Sequence, residues 1–215
     1  MAIVNCPICQ KRKAKRFCPA RGEKICPICC GTEREVSIDC PPDCSFLASS
    51  REYEWARQER EFDWSKLPFP EFKVPPSFER EHGRMLDILT YAVCAFASEH
   101  RPLVDADVMV VLQALAENYR TLSNGLYYEK PPDYVYQRQL YDALKAGIEE
   151  YKKTQAQGLA GGGTRDSDIR DGLIILTQLG ARHSNGRPKG RTFLDLLRSQ
   201  FSAEEFRPQS KIVLP

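Results

Sequence analysis

Residues 6–44 read CPICQKRKAKRFCPARGEKICPICCGTEREVSIDCPPDC, and eight of the nine cysteines of this 215-residue chain fall inside them. The stretch carries too little apolar material to fold by burying a core, so its thiols are expected to do that work as metal ligands or as disulfides. The start of the chain, MAIVNCPIC, lacks the charged head, apolar run and cleavage site of a secretory signal. A reducing cytoplasm is therefore the expected compartment, and metal the expected use of the cysteines.

The spacing divides the eight into two sets of four. CPIC occurs twice, at 6–9 and 26–29. A C-x2-C pair lets two thiolates grip one zinc tetrahedrally, with bonds of about 2.3 Å. Pro7 and Pro27 stiffen the two turns and remove a backbone donor from each. The repeat thus makes Cys6, Cys9, Cys26 and Cys29 one site, and leaves Cys18, Cys30, Cys40 and Cys44 for a second. The doubled Cys29-Cys30 fits this division if the segment is extended, because successive side chains then face opposite ways. The ligands of the two sites interleave along the chain, which predicts a cross-brace of two zinc ions. Four thiolates per ion leave no position open for water, so the metal is expected to be structural. Iron–sulfur clusters also take four thiolates, but paired CPIC turns in a small finger favour zinc.

The pattern C6-x2-C9-x8-C18-x7-C26-x2-C29 resembles the B-box type of zinc finger. It departs from that family where Cys40 and Cys44 replace the usual later histidines, and where Ala20-Arg21 stand near the place of a frequent acidic ligand. The resemblance covers about a fifth of the chain. It implies an interleaved two-zinc module that mediates protein contacts and, in some members, self-association.

The formal net charge is only +2, so no whole-molecule field points to nucleic acid. The local distribution is uneven. Lys11, Arg12, Lys13, Lys15, Arg16, Arg21 and Lys24 are set against Glu23 alone. These cations either offset the charge of about −2 on each zinc–tetrathiolate or present a surface to anions. A second basic stretch, ARHSNGRPKGR (181–191), holds Arg182, Arg187, Lys189 and Arg191 with no acid until Asp195. It reads as a solvated loop or as a second phosphate-contacting patch.

The remainder is helical by pattern. SFLASSREYEWARQEREFDW (45–64) repeats Ala48, Trp55 and Phe62 every seven residues on a very charged rod. KLPFPEFKVPPS (66–77) carries four prolines and reads as a stiff linker. Three helices follow: from Ser77 to about Glu99, from Asp105 to near Gly125, and from beyond Asp133 to Gly158. Their expected inward faces include Met85, Leu89 and Val93, then Val108, Leu112 and Leu115, then Val135, Leu140, Leu144 and Ile148. A fourth helix is expected to start at a cap formed by Asp166 or Ser167, and a fifth at Thr192. GLAGGGT (158–164) lacks the Lys-Ser/Thr ending of a phosphate loop and reads as a linker.

No catalytic constellation emerges. The three histidines, His82, His100 and His183, make no metalloprotease pattern, and no G-x-S-x-G turn occurs. Cys94, within YAVCAFA (91–97), reads as a buried inert thiol. The sequence therefore predicts a mostly α chain, in which a small treble or cross-brace zinc module precedes an all-helical domain. The expected parts are a two-zinc finger (1–47), a charged connecting helix (48–64), a proline-rich linker (65–77), a helical domain (78–201) and a short final turn and tail (202–215). The expected role is that of an adaptor holding two structural zinc ions and contacting another protein, with nucleic acid as the alternative partner. No apolar run approaches the roughly 20 residues that span a bilayer, so no membrane partner is expected.

Overall fold

The computed structural model describes residues 4–157, 163–202 and 204–206. Most of the glycine-rich stretch 158–164, and most of the expected tail, lie outside the described residues. The chain is mostly helical: a small cysteine-rich segment with one two-stranded sheet precedes a helical region.

In the cysteine-rich segment, β1 (Arg16–Cys18) pairs antiparallel with β2 (Glu23–Ile25). The turn between them closes with the Arg21 and Gly22 amides donating to the Cys18 carbonyl at 3.1 and 2.9 Å. Gly22 there takes a positive φ of 66°, a conformation open to glycine at little cost. Strand alternation turns Cys18 and Ile25 inward and leaves the facing pair Phe17 and Lys24 exposed. Helix α1 (Pro27–Glu33) follows at once, with Pro27 in its first turn and the Cys26 sulfur accepting from the Cys29 amide at 3.4 Å. Cys29 and Cys30 are thus helical rather than extended. The separation of their side chains comes from the ~100° turn per residue of a helix, and Cys29 is buried while Cys30 is partly exposed.

Helix α2 (Ser45–Glu61) is the charged rod. Among its residues whose burial is described, the buried one is Leu47, not the seven-residue seam; Trp55 stays about half exposed against the His183 ring. The proline-rich stretch beyond it is pinned rather than free. Gln178 donates to the Pro68 and Phe69 carbonyls at 3.0 and 3.2 Å, and Phe69 and Phe72 pack on the main core.

The helical region comprises α3 (Phe78–Glu99), α4 (Asp105–Ser123), α5 (Val135–Gln157), α6 (Asp166–His183) and α7 (Thr192–Arg198). Residues at helical spacing on each fill one core: Met85, Leu89 and Val93; Val108, Leu112 and Leu115; Leu140, Leu144 and Ile148; Ile169 and Leu173; Phe193 and Leu197. Val135, expected inward, is exposed, as is Tyr134 before it, because it opens α5 ahead of the first buried turn at Leu140. Buried Tyr141 packs instead, its hydroxyl donating to Glu129 at 3.0 Å and accepting from Asn118 at 3.2 Å. Helix α6 starts at Asp166 after Arg165, whose amide donates to Asp168 at 3.1 Å, so neither Asp166 nor Ser167 is the cap. Helix α7, by contrast, takes its cap from afar: the Phe193 and Leu194 amides both donate to the buried Asp105 carboxylate at 3.0 Å. No described helix is long and apolar enough to cross a membrane.

Candidate metal centre and the seam that holds it

The two CPIC turns meet. Cys6, Cys9, Cys26 and Cys29 bring their sulfurs within 4.8 Å of one another, and Cys9 and Cys26 lie 3.9 Å apart. A tetrahedral zinc–tetrathiolate with bonds of about 2.3 Å sets its sulfurs about 3.8 Å apart, so this group fits one such ion. The first turn is built by the Cys6 amide donating to the Arg12 carbonyl and the Gln10 amide to the Cys6 carbonyl, both at 2.7 Å, with Gln10 at positive φ. That wrap aims backbone amides at sulfur. The Lys11 amide, and then that of Arg12, lowers the Cys9 thiol to about 6 against the opposing effect of burial. Cys29 goes the other way: burial, together with the thiols of Cys26, Cys9 and Cys6, pushes it up to about 12. Four thiols so close resist joint ionisation unless a cation sits among them, which is the electrostatic signature of a metal cage.

The other four cysteines are arranged differently. Among the described residues, only the first tetrad converges as a metal-sized cluster. Cys18, Cys30, Cys40 and Cys44 instead line one small void of about 10 Å³, closed by Ile25, Ile38, Phe46 and Leu47. Arg16 reaches this second group, with its guanidinium 3.8 Å from the Cys30 sulfur and stacked 4.6 Å over the Phe46 ring. Cys40 is held above the usual thiol range, chiefly by burial and also by the charge of Glu35, although the Glu35 backbone hydrogen-bonds it.

Glu35 is the hinge of the seam. It lies just beyond α1 at φ 52°, with its side chain buried. Its carboxylate accepts from Arg51 at 2.7 Å and from Asn185 at 2.8 Å, and its carbonyl accepts from the Lys189 amide at 2.8 Å. Arg51 also pairs with Asp195 of α7.

The basic stretch 182–191 closes the same seam. Arg187 donates to the Arg34 and Gly31 carbonyls at 2.6 and 3.3 Å and pairs with Glu54 at 3.1 Å. Lys189 donates to the Ser37 carbonyl at 2.8 Å. Arg191 pairs with Asp39 at 2.5 Å and donates to the Leu103 and Arg101 carbonyls at 3.1 and 2.7 Å. Arg182 stacks over Trp64 at 5.3 Å. These donors fasten the cysteine-rich segment to the helical region, a role invisible in the sequence because their acceptors lie about 90 to 156 residues away.

The first basic stretch divides. Arg16 attends the second cysteine group, and Arg21 pairs with Glu23 at 2.7 Å. Lys11, Arg12, Lys13, Lys15 and Lys24 are exposed and have no acidic partner among the described residues. Three of them, Arg12, Lys13 and Lys15, line a shallow groove of about 420 Å³ with Pro27 and Ile28. Arg21 and Lys189 meet at a separate hollow beside Arg101. Comparison with protein-family models, curated proteins and solved structures found no match for this chain.

Proposed function

We propose that this chain is a cytoplasmic adaptor whose cysteine-rich segment is a two-zinc, B-box-like cross-brace and whose partner is another protein. The observation that supports it most directly is the convergence of Cys6, Cys9, Cys26 and Cys29. A zinc held by four thiolates has no coordination position for substrate, so its contribution is folding energy rather than catalysis. In this reading Cys18, Cys30, Cys40 and Cys44 draw together around a second ion, in the void they already line. The adaptor role rests on the outer surface of the segment, where Phe17 and Ile28 are each more than half exposed, Ile28 at the basic groove and Phe17 on β1. Elemental analysis of purified protein tests the metal reading. About two zinc ions per chain are expected; about one would remove the second site, and none would remove the reading altogether. Capture of a specific protein partner by the full chain, lost on Phe17→Ala with Ile28→Ala, tests the adaptor reading.

A second reading, nucleic-acid binding, is favoured by the five exposed cations without acidic partners. It draws on residues 11–24 alone, since Arg187 and Arg191 are engaged at the seam. Anisotropy titrations of generic RNA and DNA across a salt series decide it. Affinity that falls with salt, and is lost on Lys11→Glu with Lys13→Glu and Lys15→Glu, supports it; salt-independent or absent binding removes it.

A further inference from the structure

A cleft of about 440 Å³ opens along the seam, walled on one side by the Cys40–Asp43 loop and on the other by α3, α7 and the α3–α4 turn. Its volume lies in the range of small-ligand sites. Partly exposed Ala97 lies over the buried Cys94, Leu103 and Leu194 to make an apolar floor, to which Pro41 and Pro42 add from the opposite wall. The charges around it are uneven: Arg51, Arg101, Arg191 and Arg198 against Asp43 and Asp195.

The four arginines are not equivalent. Arg51 is tied to Glu35 and Asp195, and Arg191 to Asp39 and two carbonyls. Arg101 and Arg198 are exposed and have no acidic partner among the described residues. Arg198 is steadied by stacking 5.6 Å over Phe206. A guanidinium offers a planar fork of donors that matches a carboxylate or phosphate, and it stays charged at any physiological pH. Structural salt bridges explain Arg51 and Arg191. They do not explain two further arginines facing the same apolar-floored cleft.

We propose that this cleft binds a small amphiphilic oxyanion, its head held by Arg101 and Arg198 and its short apolar body laid between Ala97 and the Pro41–Pro42 wall. The head is a carboxylate or a phosphate, which these donors recognise in the same way. Of the two lining acids, Asp195 is paired with Arg51 and Asp43 has no cationic partner among the described residues, so removing the Asp43 charge tightens binding. The proposal goes beyond the metal reading, although one wall of the site belongs to the cysteine-rich segment.

The test is calorimetric titration of the full chain, with its zinc content measured first, using octanoate, octyl phosphate, inorganic phosphate and octanol. Saturable binding of at least one octyl anion is expected, and the tighter of the two identifies the head group. Arg101→Ala with Arg198→Ala should weaken it by about tenfold or more. Ala97→Phe, which fills the floor from a partly exposed helix position, should abolish it, and Asp43→Asn should strengthen it. Failure of both octyl anions to bind overturns the proposal, as does octanol binding equally well or affinity unchanged in both the double-arginine and Ala97→Phe variants. Because zinc is quantified independently, failure here leaves the metal reading standing, and a metal-free sample would not be mistaken for an empty cleft.

Discussion

Arg51, on helix α2, pairs with the buried Glu35 at 2.7 Å, and through its other nitrogen with Asp195 on α7. One guanidinium thereby bridges the end of the cysteine-rich segment to the last helix of the core. Glu35→Ala removes one acceptor of that bridge and strands the Asn185 amide as well. The expected loss is about 2–3 kcal/mol of stability, read by urea denaturation, with faster proteolysis of the cysteine-rich segment. An unchanged midpoint would show that the seam is slack in solution.

Metal removal separates the two cysteine sets. Cys6→Ser should lower zinc content by about one ion per chain; the proposed second site further requires that Cys18→Ser remove a different ion, so that the double variant holds none. The control is Cys94→Ser, which leaves metal content unchanged because the Cys94 thiol is buried among apolar side chains and lifted to about 12, chiefly by that burial. Loss of zinc in that control would count against the ligand assignment.

Helix α6 passes close to its neighbours at Gly180, where an added Cβ would meet the Met109 sulfur and lie 2.9 Å from the buried Phe193 ring. Methionine can swing aside; the packed ring has nowhere to go. Gly180→Ala is therefore expected to cost about 1–3 kcal/mol, visible as a lowered Tm. Gly147→Ala, on α5 with nothing within 4 Å of its Cβ, should instead stabilise by about 0.5–1 kcal/mol. The opposite signs make the pair informative.

Asp105 should impose a pH dependence. Burial pushes its carboxyl up to about 6, although the Phe193 and Leu194 amides oppose the rise. Between roughly pH 4 and 6 the folded chain then binds a proton that the unfolded chain releases, so this group's contribution to stability falls as pH rises through that window. The stability difference between the wild type and Asp105→Asn should therefore be largest in favour of the wild type at about pH 4 and shrink steadily to a plateau above about pH 6. Comparing the two proteins cancels the acid lability of the thiolate sites. A difference that stays flat with pH would refute the assignment.

The sequence carries those features whose cause is local. The two CPIC turns announce their own pairing because each wraps its sulfurs with nearby amides. The helical spacing of Val108, Leu112 and Leu115, or of Leu140, Leu144 and Ile148, records one buried face. Distant causes leave no local trace. RHSNGRPKGR shows no acid nearby because its partners lie far along the chain: Glu35, Asp39, Glu54 and the carbonyls of residues 31–37, 101 and 103. The cap of α7 is Asp105, 88 positions from Phe193. Cys29-Cys30 was ambiguous for a third reason: an extended strand and a helix both separate adjacent side chains, and only the Cys26 cap with Pro27 selects the helix.

The fastening of the cysteine-rich segment by Arg187, Lys189 and Arg191 is expected to hold it against the helical region even where the covalent join is cut. A nick in the proline-rich stretch, beyond the Phe69 carbonyl gripped by Gln178, would leave two polypeptides that still elute as one particle. The same two pieces, produced as separate polypeptides, should find each other and complement in trans.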